Sequence, residues 1–196
     1  MRRRTLDALL ATSGLIVAVI LLAAGGLLTW AHNFVGNEVY NQLSSQQIFF
    51  PAKGSDSLND PAIKPYLEQY AGQQMTNGAQ AKAYADHFIA VHINEMTGGK
   101  TYAELSAASL ADPNNTELAG LVQTVFRGET LRGLLLNAYA FGKMGTIAGI
   151  GAIVAWIGGG LMFVAAGLGF WHSRRAPETS EVFIKHAGAP AVEQIP

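Results

Sequence analysis

Apolar residues concentrate in two long runs, 9–30 and 144–171, and neither contains a formal charge. A helix rises 1.5 Å per residue, so about 20 apolar residues cross a bilayer core about 30 Å thick. Both runs are long enough. The pattern predicts an all-α membrane protein with two transmembrane helices, 9–30 and 144–171, and an extracytoplasmic helical domain, 31–143, between them. Residues 1–8 then form a short N-terminus. Residues 172–196, with Pro177, Gly188, Pro190 and Pro196, form a mostly disordered tail.

Between the runs, apolar residues follow the helical period, with no convincing strand alternation. Phe34, Val35, Val39, Tyr40 and Leu43 continue the first span as an amphipathic helix. Ile48-Phe49-Phe50-Pro51 reads as an extended piece and 53–59 as a polar loop. Asp60-Pro61 predicts a cap and helix start, with Tyr66, Leu67 and Tyr70 on one face and Gly72 near the end. A longer helix follows Asn77-Gly78, its face marked by Tyr84, Phe88, Val91 and Glu95, widened by Ala85, Ile89 and Met96. Gly98-Gly99 ends it. Thr101-Tyr102-Ala103-Glu104 is a capping box whose helix stops at Asp112-Pro113. Asn114 and Glu117 repeat the capping spacing before Leu118, Leu121, Val122, Val125 and Phe126. Gly128 is expected to interrupt, and one helix is expected from about 130 to 173. The expected core holds Tyr66, Tyr70, Tyr84, Phe88, Val91, Leu105, Leu118, Leu121, Val125 and Phe126.

Charge sets the expected topology. Arg2, Arg3 and Arg4 precede the first run; Arg174 and Arg175 follow the second. By the positive-inside rule both termini are cytoplasmic and the protein is a multi-pass protein of the cell membrane. Trp30 and Trp171 stand where an interfacial aromatic belt is expected. A basic start and an apolar run also describe a cleaved signal peptide, with Ala23, Ala24, Gly25 and Gly26 as a candidate cleavage region. The run exceeds the usual signal core of about 7–15 residues, which favours an uncleaved anchor. Arg3-Arg4 before Thr5-Leu6 matches a twin-arginine export signal only in part. Across the chain 14% of residues are charged, against about 25% in ordinary soluble domains. The net charge of −1 offers no field for nucleic acid. With no Cys, disulfides, thiolate metal sites and Cys nucleophiles are excluded.

Small residues form the sharpest pattern. Gly145, Ala148, Ala152, Ala155, Gly159, Met162, Ala166 and Gly169 advance by three and four along one face of the second span, and Gly145 and Gly149 make a GxxxG pair. Ala11, Gly14, Ala18 and Gly25 form a shorter copy on the first. Small residues let backbones approach closely in lipid. The stripes can pack on each other as a hairpin, the favoured reading, or on a second subunit.

Other candidates are weaker. His87 and His92 lie about 140° apart on a regular helix, which does not suit a shared metal. His92 and Glu95 have i, i+3 spacing and could form one ligand pair, but a partly buried or surface histidine is the plainer reading. His32 and His172 fall at opposite membrane faces. Arg127 and Arg132 bracket Gly128-Glu129-Thr130-Leu131 and are candidate contacts for lipid phosphate or an acidic partner. The plainer reading is a Glu129–Arg132 pair at a helix joint. Asn137 is a polar residue in an apolar run, placed to bond across helices or to mark the interface. Asp7 is expected to be neutralised by Arg174 or Arg175. GxSxG, GxxxxGK, GxGxxG and HExxH are absent. No cofactor, metal or catalytic residue is assigned.

Gln69-Tyr70-Ala71-Gly72-Gln73-Gln74, Ala81-Lys82-Ala83-Tyr84-Ala85-Asp86-His87-Phe88-Ile89 and Phe126-Arg127-Gly128-Glu129-Thr130-Leu131-Arg132-Gly133-Leu134-Leu135-Leu136-Asn137-Ala138-Tyr139, with the flanking spans, resemble a group of small two-span envelope proteins of actinobacteria. The resemblance covers most of residues 1–172. It implies an actinobacterial source, a cytoplasmic membrane and the topology above. That group carries no assigned activity, so no catalytic or ligand residue follows from it. The expected function is non-catalytic: an accessory or scaffold protein, associated with lipid and with itself or a larger envelope complex. The alternatives are an extracytoplasmic ligand-binding or sensor protein, and a small homo-oligomeric channel.

Overall fold

A computed structural model describes residues 3–175 and 177. The expectation of a disordered tail falls almost wholly outside the described residues. Among the described residues the chain is helical and has no strand, only an isolated antiparallel bridge between Phe49 and Gln74. Two helices, α1 (Arg3–Ser45) and α7 (Thr116–Arg175), are long and apolar enough to cross a membrane. Five short helices lie between: α2 (Asp56–Asn59), α3 (Lys64–Leu67), α4 (Gly78–Tyr84), α5 (Ala90–Thr97) and α6 (Tyr102–Ala111). The chain divides into two compact units, one made of residues up to Leu28 and from Gly151 onward, the other of Thr29–Ile150.

In the first unit α1 and α7 pack through small side chains. Its buried positions are Ala11, Ala18, Gly25, Ala152, Ala155, Gly159 and Ala166, with Ser173. Ala11, Ala18 and Gly25 recur every seven residues, the spacing of a left-handed helix pair. The large apolar residues point the other way: Leu10, Ile20, Leu27, Ile153, Val154, Leu161 and Val164 are all exposed. A fold in water buries most of its large apolar side chains.

The second unit has an ordinary core, centred on Leu43, Phe50, Leu58, Ile63, Leu67, Met75, Ile89, Ile93, Val125 and Leu135. α1 ends at Ser45; just beyond it Gln47 adopts a left-handed φ of 52°, and the Gln74 amide donates to the Ser44 carbonyl at 2.7 Å. That bond satisfies one of the terminal carbonyls a helix leaves unpaired. The extended piece 48–50 then pairs with 73–75 through Phe50 N–H to Gln73 O (2.9 Å) and Met75 N–H to Ile48 O (2.8 Å). The pairing seats Phe50 in the core, where Tyr70 and Tyr84 close around its ring.

After Asn77, whose side chain caps α4 by accepting from Gln80 N–H, the helix widens into a π turn at Ala85–Ile89. Buried positions here step by four: Ala81, Ala85, Ile89, Ile93 and Thr97. On a regular helix a four-residue step overshoots a full turn by about 40°. The wider turn absorbs part of that drift and keeps the five on one side. α5 ends at Gly98, which takes the left-handed φ of 60° that glycine tolerates best. The Thr101/Glu104 capping box starts α6 as expected.

Several expectations need correction. α7 runs unbroken through Gly128 and begins at Thr116, not near 130. Gly128 is a contact point: a Cβ there would stand 2.8 Å from Ile93 Cδ1, so the missing side chain lets α5 lie against α7. The cap of α7 is Asn115, accepting from Leu118 N–H at 3.0 Å, not Asn114. Asp60 does not start a helix directly; its carboxylate accepts from Ala62 N–H at 2.6 Å, making a turn ahead of α3. The loop 53–59 contains the one-turn α2. Tyr66 and Phe126, expected in the core, are exposed and rest on His87 and Tyr102. Tyr70, Tyr84, Phe88, Val91, Leu118 and Leu121 are partly buried, while Leu105 and Val125 are buried. Glu95 and Met96 are exposed, because the π turn moves the buried face to Ile89 and Ile93.

Candidate functional site

Within the second unit, α1, α7 and the start of α4 enclose a recess of about 300 Å³. Glycine builds it. A Cβ on Gly78 would meet Tyr139 Cα at 2.9 Å and Ala138 O at 3.0 Å, so only glycine lets the start of α4 touch the α7 backbone. Gly142 lies opposite, 3.5 Å from Gly78 Cα by the same measure. On the α1 side His32 Nδ1 makes a 2.7 Å hydrogen bond to Gly145 O. A carbonyl only accepts, so Nδ1 carries the proton. The ring also lies over Gly149, where a Cβ would come within 2.9 Å of it.

Lys143 is the one charged residue lining this recess, and no carboxylate lines it. Among the described residues the Lys143 ammonium forms no ion pair; it stands 6.0 Å from the Tyr139 ring. Lys82 reaches the same ring at 5.4 Å but is bound to Asp86. Thr146 donates its hydroxyl to Gly142 O at 2.9 Å, and the Thr76 hydroxyl and backbone N–H both donate to the Gln80 side-chain oxygen. His32 and Lys143 each stand just outside one of the two apolar runs, 9–30 and 144–171. What brings them together is the antiparallel pairing of α1 and α7, and that pairing was the available signal.

The remaining candidates fall elsewhere. Gly145 is buried against Val35, where a Cβ would come within 3.2 Å, and Ala148 and Gly149 are half-buried. In the first unit a Cβ on Gly14 would lie 3.7 Å from Ala166 and Met162, one on Gly25 3.2 Å from the Trp156 ring, and one on Gly159 2.9 Å from Leu22. Ala11 touches the position of a Gly169 Cβ at 3.1 Å, while Ala18, Ala152 and Ala155 are buried. Both stripes thus make contacts inside the chain.

Arg132 pairs with Glu129 at 3.3 Å and with Asp86 at 3.6 Å, while its Nε is buried without a hydrogen-bond partner. Arg127 is exposed and makes no ion pair among the described residues. The hydrogen bond from Lys82 holds the Asp86 carboxyl below its ordinary range, and the charges of Lys82, Arg132 and His87 reinforce this against the opposing effect of burial. Burial pushes the Tyr84 hydroxyl up. His87 stacks flat on Tyr66 and His92 bonds back to Phe88 O at 2.8 Å, so the two histidines serve separate local contacts and His92 does not pair with Glu95. Asp7 Oδ2 has His172 Nε2 at 4.0 Å and is buried without a hydrogen-bond partner, whereas Arg175 lies over the Trp171 ring at 4.3 Å; among the described residues Asp7 makes no ion pair with Arg174 or Arg175. Asn137 is exposed on the rim of an apolar groove floored by Leu43 and Leu135.

Comparisons with protein-family models, with curated proteins and with solved structures found no match to this chain.

Proposed function

We propose that this chain is a two-span protein of the cytoplasmic membrane that serves without catalysis as an accessory or scaffold component of an envelope assembly. The observation that carries the membrane part is the inverted surface of the first unit, with small residues inside and Leu, Ile, Val and Phe outside. Hydrocarbon solvates such a surface and water does not. Arg2, Arg3 and Arg4 before the first apolar run and Arg174 and Arg175 after the second support an orientation with both termini in the cytoplasm.

The accessory part rests on how the polar groups are used. Lys82, Asp86, Arg132 and Glu129 form a connected ion-pair row that ties α4 and the following turn to α7, a structural task. The small-residue stripes are engaged within the chain, so a partner would meet the outward faces of the spans or the second unit. A channel would need polar residues along a pore, and the α1–α7 contact in the first unit is closed by glycine and alanine. A ligand-binding role is the second reading, favoured by the recess around Lys143.

Two measurements test this. The chain lacks Cys, so single-cysteine variants report topology cleanly. Asn114→Cys is expected to react with an impermeant maleimide in intact cells, and Thr179→Cys only after lysis; the reverse pattern overturns the orientation. Mild-detergent purification from native membranes is expected to yield a stoichiometric complex, and a lone monomer overturns the accessory role.

A further inference from the structure

We propose that the recess between α1, α4 and α7 binds an anionic phosphate group at the outer membrane surface, with Lys143 as its charge partner. The inference rests on the two-span reading, because that reading sets His32 and Lys143 just beyond the outer ends of the two runs.

Four observations carry it. The recess is lined by one positive charge and no carboxylate, and among the described residues that charge has no ion pair. A lysine left unpaired in a concave site keeps its full attraction for an anion, and its long stem lets the ammonium follow the ligand. Gly36 has open space where a Cβ would stand, so that stretch of the wall is bare backbone a compact tetrahedral group can approach. The Asn77 side-chain oxygen is committed to Gln80 N–H, which leaves its amide N–H₂ as the donor end. The volume, about 300 Å³, holds a phosphate head and its glycerol but not a whole lipid.

The phosphate can come from a phospholipid head or from solution, and the test separates the two. Full-length protein is placed in nanodiscs of phosphatidylcholine alone or mixed with phosphatidylglycerol, and co-purifying lipids are counted by native mass spectrometry. Thermal midpoints are read with and without inorganic phosphate. A lipid source gives about a fivefold preference for phosphatidylglycerol, the contribution of one interfacial lysine. The preference is lost in Lys143→Gln and kept in Lys143→Arg. A soluble source gives no lipid preference but a phosphate-dependent rise in midpoint, lost in Lys143→Gln and kept in Lys143→Arg. Circular dichroism of Lys143→Gln checks that the helices persist. Protein that enters both discs yet shows neither response, or responds equally in Lys143→Gln, overturns the phosphate site and leaves the two-span reading intact. Protein that fails to enter discs overturns the two-span reading itself.

Discussion

Gly159 of α7 lies directly on Leu22 of α1: a Cβ placed on the glycine would stand 2.9 Å from Leu22 Cδ2, 3.0 Å from Cγ and 3.2 Å from the backbone nitrogen. The side-chain atoms could rotate away, but the nitrogen is fixed in the helix. Gly160, the next residue, has nothing within 4 Å of the same construction. Two adjacent glycines therefore have opposite roles. One sets the separation of the helices and the other only faces outward.

Gly159→Val is accordingly expected to destabilise the α1–α7 pair by about 1–3 kcal/mol, the usual cost of overpacking. Gly160→Val, of equal size and hydrophobicity, should stay within about 0.5 kcal/mol of the parent. Unfolding of the two variants in the same detergent, followed by circular dichroism, checks this. Equal effects would mean that the two helices do not meet at Gly159.

The glycines of the second unit divide in the same way. Gly78→Ala would push a methyl to 2.9 Å from Tyr139 Cα and 3.0 Å from Ala138 O, both backbone atoms, and is expected to cost about 1–3 kcal/mol. Gly120 and Gly133 lie in α7 with open space around them. Alanine there removes the conformational freedom that glycine gives the unfolded chain and should add about 0.5–1 kcal/mol each. Thermal midpoints of the three variants should move in these opposite directions, and a rise for Gly78→Ala would contradict the close approach of α4 to α7.

These contrasts mark what sequence reading can reach. The two apolar runs, the helix start after Asn77-Gly78, the Thr101 cap and the stop at Gly98 were all legible, because each depends on neighbours within a few residues. Gly128 was misread because an isolated glycine in a helical pattern looks the same whether it breaks the helix or admits Ile93. The π turn at Ala85–Ile89 has no local signature and follows from the packing of five residues spaced by four. Tyr66 and Phe126 were assigned to the core from their places on an apolar helix face, yet smaller residues such as Ile63, Met75 and Ile93 fill it. The recess combines His32 with Gly145 and Gly78 with Tyr139, contacts far apart in sequence, so its parts were visible and its assembly was not.

The ion-pair row between α4 and α7 predicts a pH response. The Asp86 carboxyl is held below its ordinary value chiefly by the Lys82 hydrogen bond, against burial and with help from the Lys82, Arg132 and His87 charges. A carboxyl whose folded pKa is depressed contributes stability above its unfolded value of about 3.9 and loses it as pH falls through the folded value. Asp86→Asn removes that contribution, so the variant should be less stable than the parent at neutral pH. Lys82 is 45% exposed, and the deficit should stay under about 1 kcal/mol because solvent screens the pair. As the medium is acidified below about pH 4, the parent loses the same stabilisation and the two unfolding curves should converge. Denaturant titrations of both proteins at neutral and acidic pH measure the gap. A gap that stays constant into acid would show that the Asp86 charge does not contribute to the stability of the fold.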